Sequence, residues 1–222
     1  MTIRLASAET STLAALCRTQ VAWDPDAAAR IKIGTSAVGV FTTPPLGVLV
    51  LVALPADVPA ESTNADVTVR LDSLLAAAEN REGDGSAAID VRVLRSALVE
   101  LRDGPSLAHL PPSSGWGEAV HGVDRDVAAE TDAATAEFDA RAAGLGARLQ
   151  EAIAEDLWNR PAFAGLPLRV LHAARRLGLL AGGEAPVSAA ACGPWRRLST
   201  QRGQVFARAS GSLLQVPVQV LR

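Results

Sequence analysis

The sequence predicts an α+β protein: a small mixed, mainly antiparallel sheet with short helices, then a part built of two helices and a β-hairpin. Three observations predict it. Short apolar runs with strand-like alternation recur through the first hundred residues and again after residue 186. A helical period of apolar positions runs through 127–157 and again through 168–180. Between these regions, residues 103–117 are rich in Pro, Gly and Ser and interrupt every pattern.

The elements follow in order. Residues 2–7 suit a short edge strand. Ser7 or Ser11 suits the cap of a helix through about Arg18, with Leu13, Leu16 and Cys17 on its apolar side. Trp23-Asp24-Pro25-Asp26 is a turn. Ile31 and Ile33 alternate. Residues 37–41 and 46–54 are strands joined by Thr42-Thr43-Pro44-Pro45. A short strand at 67–69 precedes a helix over 73–80 that Asp72 caps, and Ile89, Val91 and Val93 alternate as a strand. Leu94, Ala97, Leu98 and Leu101 then change to helical spacing, and the same run equally suits a longer strand.

After the break, Asp124 or Asp126 caps a long helix whose seam includes Val127, Phe138, Leu149 and Leu157, with Gly144 and Gly146 placed to kink or split it. A linker at 161–167 leads into the helix at 168–180, which Gly182-Gly183 ends. Strands at 187–191, 195–198, 204–209 and 213–221 follow. The best boundary divides residues 1–112 from residues 113–222.

Composition narrows the class. At 222 residues and 49% hydrophobic the chain can bury a sizeable core, and a net charge of −3 is too small for a disordered chain. The first ten residues hold Arg4 and Glu9 and no apolar stretch, so no secretory signal is expected. The most apolar run, 46–56, is shorter than the roughly 20 residues a membrane helix needs. A cytoplasmic protein without a membrane segment is therefore expected. Cys17 and Cys192 lie among small apolar residues and read as two buried thiols.

Charge is unevenly spread. From Pro161 onward there are eight arginines and one acid, Glu184, for a net +7; the first 160 residues carry a net −10. Such a split suits a surface for nucleic acid or an acidic protein, or else a basic part that neutralises the acidic part of its own chain. Arg175, Arg176, Arg196, Arg197 and Arg202 form the candidate binding group. Trp195 and Phe206, in the same hairpin, suit cross-strand core partners.

Few motifs carry chemistry. Gly144-Leu145-Gly146 lies in a helical pattern and not after a strand, so it makes no dinucleotide turn. Neither a P-loop nor a nucleophile elbow is present. His172 reads as a half-buried or capping helix residue. His121, Asp124 and Asp126 offer an imidazole and two carboxylates for a divalent metal, but a turn and a helix cap account for the same residues. The expectation is no metal and no cofactor. The rival class is an enzyme with a cleft between the two parts near His121 and Asp124; a third is a structural or self-associating protein whose basic part neutralises its acidic part.

The basic helix and hairpin loosely resemble the layout of winged-helix DNA-binding modules, which implies a groove-reading helix and a phosphate-touching wing. The long acidic helix before Leu168 departs from that family. The Pro-Pro-x-x-Gly-Trp hinge and the Gly-Pro-Trp-Arg-Arg-Leu hairpin make the whole chain similar to an uncharacterised group of proteins from high-GC Gram-positive (actinobacterial) bacteria, a resemblance that implies no activity. The leading expectation is a non-enzymatic binding protein that uses its arginine-rich C-terminal face.

Overall fold

A computed structural model describes residues 1–97 and 105–209. The predicted strand at 213–221 and the end of the helical spacing at 94–101 lie outside these residues.

The α+β class holds, and the sheet is larger than the sequence suggests. Strands β2 (Ala28–Ile33), β3 (Ala37–Thr42) and β4 (Leu49–Pro55) form one meander. Strands β8 (Pro186–Cys192), β9 (Trp195–Ser199) and β10 (Gln204–Arg208) form a second. The two meanders join through their last strands, because β10 pairs antiparallel with β4. Adding β5 (Asp66–Arg70) beside β2 and β7 (Val120–Val123) beside β8 gives eight strands in the order β5-β2-β3-β4-β10-β9-β8-β7. β1 (Thr2–Leu5) and β6 (Ala87–Asp90) pair separately.

The outer margin of β5 is covered by residues 95–97: the Arg70 amide donates to the Arg95 carbonyl, and the Ala97 amide to the Thr68 carbonyl. The outer margin of β7 has no pairing partner among the described residues, and Val120 is exposed there.

Alternation along each strand decides what covers each face. Ile31, Val40, Val50, Leu198 and Val205 point to one side, where they bury against helices. These helices are α1 (Ser7–Trp23), α2 (Leu71–Glu79), α3 (Asp124–Ala142), α4 (Ala147–Trp158) and α5 (Leu168–Arg176). One continuous core runs from Leu13 of α1 to Leu171 of α5. On the other side a smaller cluster gathers Leu49, Trp195 and Phe206, with Phe41, Leu51, Leu110 and Trp116 against it. Residues 105–118 are strapped across that outer face, since Arg30 donates to the Leu107 carbonyl at 2.7 Å and the Gly117 amide to the Ala191 carbonyl at 2.8 Å. Trp195 and Phe206 do share a core, edge to face at 6.5 Å, although their register partners are Arg208 and Arg197.

Several boundaries move for local reasons. The predicted long helix is two helices, broken at Gly144, whose φ of +71° a glycine adopts without strain. The strand predicted from residue 46 begins at Leu49, because Gly47 turns at φ +66°. Neither predicted serine caps α1: Ala6 holds the cap position without a side-chain bond, and Ser11 donates back to the Ser7 carbonyl. The predicted helix at 168–180 stops at Arg176, with Gly178 at φ +72° just beyond. Among the described residues no helix is long and apolar enough to cross a membrane.

Cys17 is fully buried on α1, and burial pushes its thiol up to about 12. Cys192, expected to be buried as well, is half-exposed at the end of β8, where a strand meets its turn. A thiol reagent should therefore modify one cysteine of the native protein quickly and the second only on unfolding. Rapid loss of both thiols without denaturant would contradict this packing.

The junction of the meanders sets a second expectation. A Cβ on Gly203 would stand 2.8 Å from the Leu51 carbonyl oxygen and 3.2 Å from a Val52 methyl. Gly203→Ala should destabilise by about 1–3 kcal/mol in urea melts. Gly183→Ala, where a Cβ meets nothing within 4 Å, should stay within about 0.5 kcal/mol. Equal stabilities would show that the junction is not closely packed there.

Candidate functional site

The five candidate arginines come from two kinds of element, and geometry separates them. Arg196 and Arg197 are neighbours on β9, so the strand sends them to opposite faces. Arg197 lies on the outer face beneath Trp116, its guanidinium carbon 4.2 Å from the ring centroid. Its Nε is buried without a hydrogen-bond partner among the described residues, and burial lowers its pKa. A cation held over a π-face in this way gains cation–π attraction while it loses water. Arg196 lies on the helix side, where its Nη1 donates to the Gly193 and Trp195 carbonyls at 2.9 and 3.0 Å.

The other three also lie on the helix side. Arg175 of α5 is bound in both branches to Asp132 of α3, at 2.9 and 2.8 Å, and this hydrogen bonding raises its pKa. Arg176 is exposed and sits over Trp23 of α1, 5.6 Å from the ring centroid. Arg202, in the β9–β10 turn, donates to the Gly178 carbonyl at 3.0 Å. The structure thus brings Arg176, Arg196 and Arg202 around α5 on one side, neutralises Arg175, and places Arg197 on the other side.

Internal neutralisation is limited. Arg175 with Asp132 is the one ion pair formed by an arginine after Pro161 among the described residues; the lone acid of that segment, Glu184, pairs with Arg125. Arg169, which is not among the five candidates, is a helix-side cation near Arg196, with no acidic partner among the described residues. Its position, two residues after Pro167 at the first turn of α5, was the signal for it.

Around this basic strip the helices are acidic. The five helices carry seven arginines and twelve carboxylates, a net −5. Much of this lies on α3 and α4, where Arg141 and Arg160 each bridge Glu137 and Asp156 in a four-group network. That network lowers the pKa of both carboxylates through hydrogen bonds from Arg160 and Arg141.

The other candidates take structural places. His172 is half-buried on α5, stacked on Trp158 with ring centroids 4.1 Å apart, and burial lowers its pKa. His121 is exposed on β7. Asp124 is buried, and its two oxygens accept the Ala181 and Gly182 amides at 3.0 and 2.8 Å. It is not the helix cap that the sequence suggests; Val123 holds that position, and Asp124 ties the start of α3 to the turn after α5. Among the described residues no group of three or more His, Cys, Asp and Glu could hold a metal ion.

Comparison with solved structures gives the class of the fold. The chain is similar to bacterial DNA polymerase sliding clamps. Caulobacter crescentus pol III beta matches at TM-score 0.60 and 12% identity, over 97% of this chain and 67% of that one. A DNA polymerase sliding clamp from Pseudomonas aeruginosa matches at 0.59 and 10%, over 100% and 68%. A DnaN sliding clamp from Bartonella birtlesii, bound to griselimycin, matches at 0.57 and 10%, over 97% and 66%. The chain thus spans about two thirds of the length of these clamps. In sequence, residues 1–99 match a domain of unknown function, DUF8010, and residues 111–212 match another, DUF8185. No curated protein matches the chain.

The Asp124 contacts set the expectation for this region. Asp124→Ala leaves two partly buried amides without acceptors and should cost about 2–4 kcal/mol in urea melts. Asp124→Asn, which keeps one acceptor oxygen, should recover part of the loss. If both variants match the wild type, Asp124 does not hold the turn.

Proposed function

We propose that the chain is a non-enzymatic interaction protein, a clamp-type scaffold that takes an acidic segment of a protein partner along α5. The observation that carries this reading is the charge pattern of the helix side. Arg169, Arg176, Arg196 and Arg202 make a short basic strip with no acidic partners among the described residues. The acids of α3 and α4 flank it. A phosphate backbone repeats its charge along its whole length, so it meets the flanking carboxylates as well as the arginines. A folded or extended protein segment can place its acids over the strip alone and set other side chains against the flanks.

A second reading is contact with nucleic acid. It is favoured by the likeness to clamps named for DNA polymerase, which gives the fold and no more, and by the excess of arginine after Pro161.

The two readings part in one titration. A labelled acidic peptide and a labelled DNA duplex are compared by fluorescence anisotropy at ~50 mM salt, where phosphate contacts are strongest. The expected result is saturable binding of the peptide, lost in Arg196→Gln/Arg202→Gln, and weaker binding of the duplex. Arg197→Gln should leave peptide binding unchanged, because its side chain is on the opposite face. Tighter binding of the duplex, with a steep salt dependence, would overturn the protein-partner reading in favour of nucleic acid.

A further inference from the structure

At the start of α5 the helix side opens into a cavity of about 460 Å³. Pro167, Arg169, Arg196 and Asn159 line it, and Arg208 borders it from the end of β10. We propose that this cavity is a phosphoryl-binding site, with Arg169 and Arg196 as its ligands.

Three features of the molecule lead there. The first is charge: three arginines, Arg169, Arg196 and Arg208, are among its described lining residues, and no carboxylate is. In a chain with more acids than bases, a cavity lined by bases alone is a departure from the average surface. The second is the helix end. Pro167 caps α5 with no side-chain acceptor; the Leu168 and Val170 amides go to the Arg160 and Pro167 carbonyls, and the positive end of the helix borders the cavity without a neutralising carboxylate. α5 is nine residues long, enough for its aligned peptide dipoles to add to the arginines. The third is an orphaned donor. Arg169 Nε is buried and has no hydrogen-bond partner among the described residues. A buried donor without an acceptor costs free energy, and a ligand oxygen at that position would recover it.

The chemistry selects the ligand class. Guanidinium presents parallel N–H donors that match the oxygens of a phosphoryl group. Two arginines and a helix end together exceed the charge that one carboxylate can balance, whereas a phosphomonoester carries close to two negative charges near neutrality. The volume exceeds that of a bare anion and leaves room for the group that bears it. Neither Arg169 nor Arg196 has an acidic partner to give up on binding among the described residues, unlike Arg175, which would have to leave Asp132. As the anchor of an acidic partner segment the cavity rests on the function proposed above. As a site for a phosphoryl group it does not, and the probes below are small enough to separate the two.

The test is NMR titration of the full chain with inorganic phosphate, phosphoserine and acetate, following the arginine Nε–H and backbone amide signals. Saturable shifts at Arg169 and Arg196 are expected with both phosphorus ligands. Phosphoserine binding should strengthen as pH rises through about 6, where its second proton leaves while the arginines stay charged. Arg169→Gln and Arg196→Gln should each weaken binding at least about tenfold, as expected when a charge-assisted bond is lost. Arg148→Gln, at an exposed arginine on α4, should leave binding unchanged; matching thermal melts exclude unfolding as the cause. Whichever phosphorus ligand binds tighter names the source, a free anion or a phosphorylated side chain. The proposal is overturned if neither gives a saturable shift at millimolar concentration, if acetate binds as tightly, or if the two arginine variants bind like the wild type. A failed peptide titration alongside saturable phosphate binding would remove the partner reading and leave the site standing.

Discussion

The structure depends on one strand pairing, β10 with β4. Gln204, Val205 and Phe206 stand opposite Leu51, Val50 and Leu49. Among the described residues this is the only sheet contact between the two meanders. Through it, apolar residues that alternate along separate stretches of sequence bury on one side as a single core. Without it each meander would keep an unpaired margin and a half-covered face. The close approach of Gly203 to the Leu51 carbonyl marks how tightly the pairing is drawn.

The pairing also determines where charge appears. The two meanders meet through equivalent strands running in opposite directions, so they are related by an approximate twofold axis normal to the sheet. Such an axis keeps each face on its own side. All five helices therefore fall on one side, and α5 packs over β10 near the line where the halves meet. A strip of arginine in the middle and acids on α3 and α4 follow from that arrangement. The clamp likeness belongs at this level: it describes the path of the chain, and the surface chemistry is this sequence's own.

Much of the local structure was legible in the sequence. Alternation at Ile31–Ile33 and at 37–41 located strands, and the Gly144-Leu145-Gly146 interruption anticipated the break between α3 and α4. What was not legible is what alternation cannot encode. Nothing in 204–208 announces that β4 is its second neighbour, and the meanders share no repeat that would have suggested a matching pair. The site was half legible for the same reason. A count of arginines after Pro161 located the excess charge, but neighbouring residues on a strand point apart, so Arg196 and Arg197 could not act together. The acceptors that fix each arginine, Asp132 for one and the π-face of Trp116 for another, lie some forty to eighty positions away in the chain. For Arg169 the sequence offers its place just after Pro167, but the cavity it borders is formed with Arg196 of a distant strand.

The two margins of the sheet have an unequal fate. Residues 95–97 seal the one beyond β5, while the one beyond β7 has no pairing strand among the described residues and exposes Val120. A sheet with two open margins can add copies without end, as a fibre does. A sheet with one can add a single neighbour, and if that neighbour is its own copy, both open margins are consumed in the same contact. With the margin beyond β5 covered, the margin beyond β7 is the one, among the described residues, at which a further strand can pair.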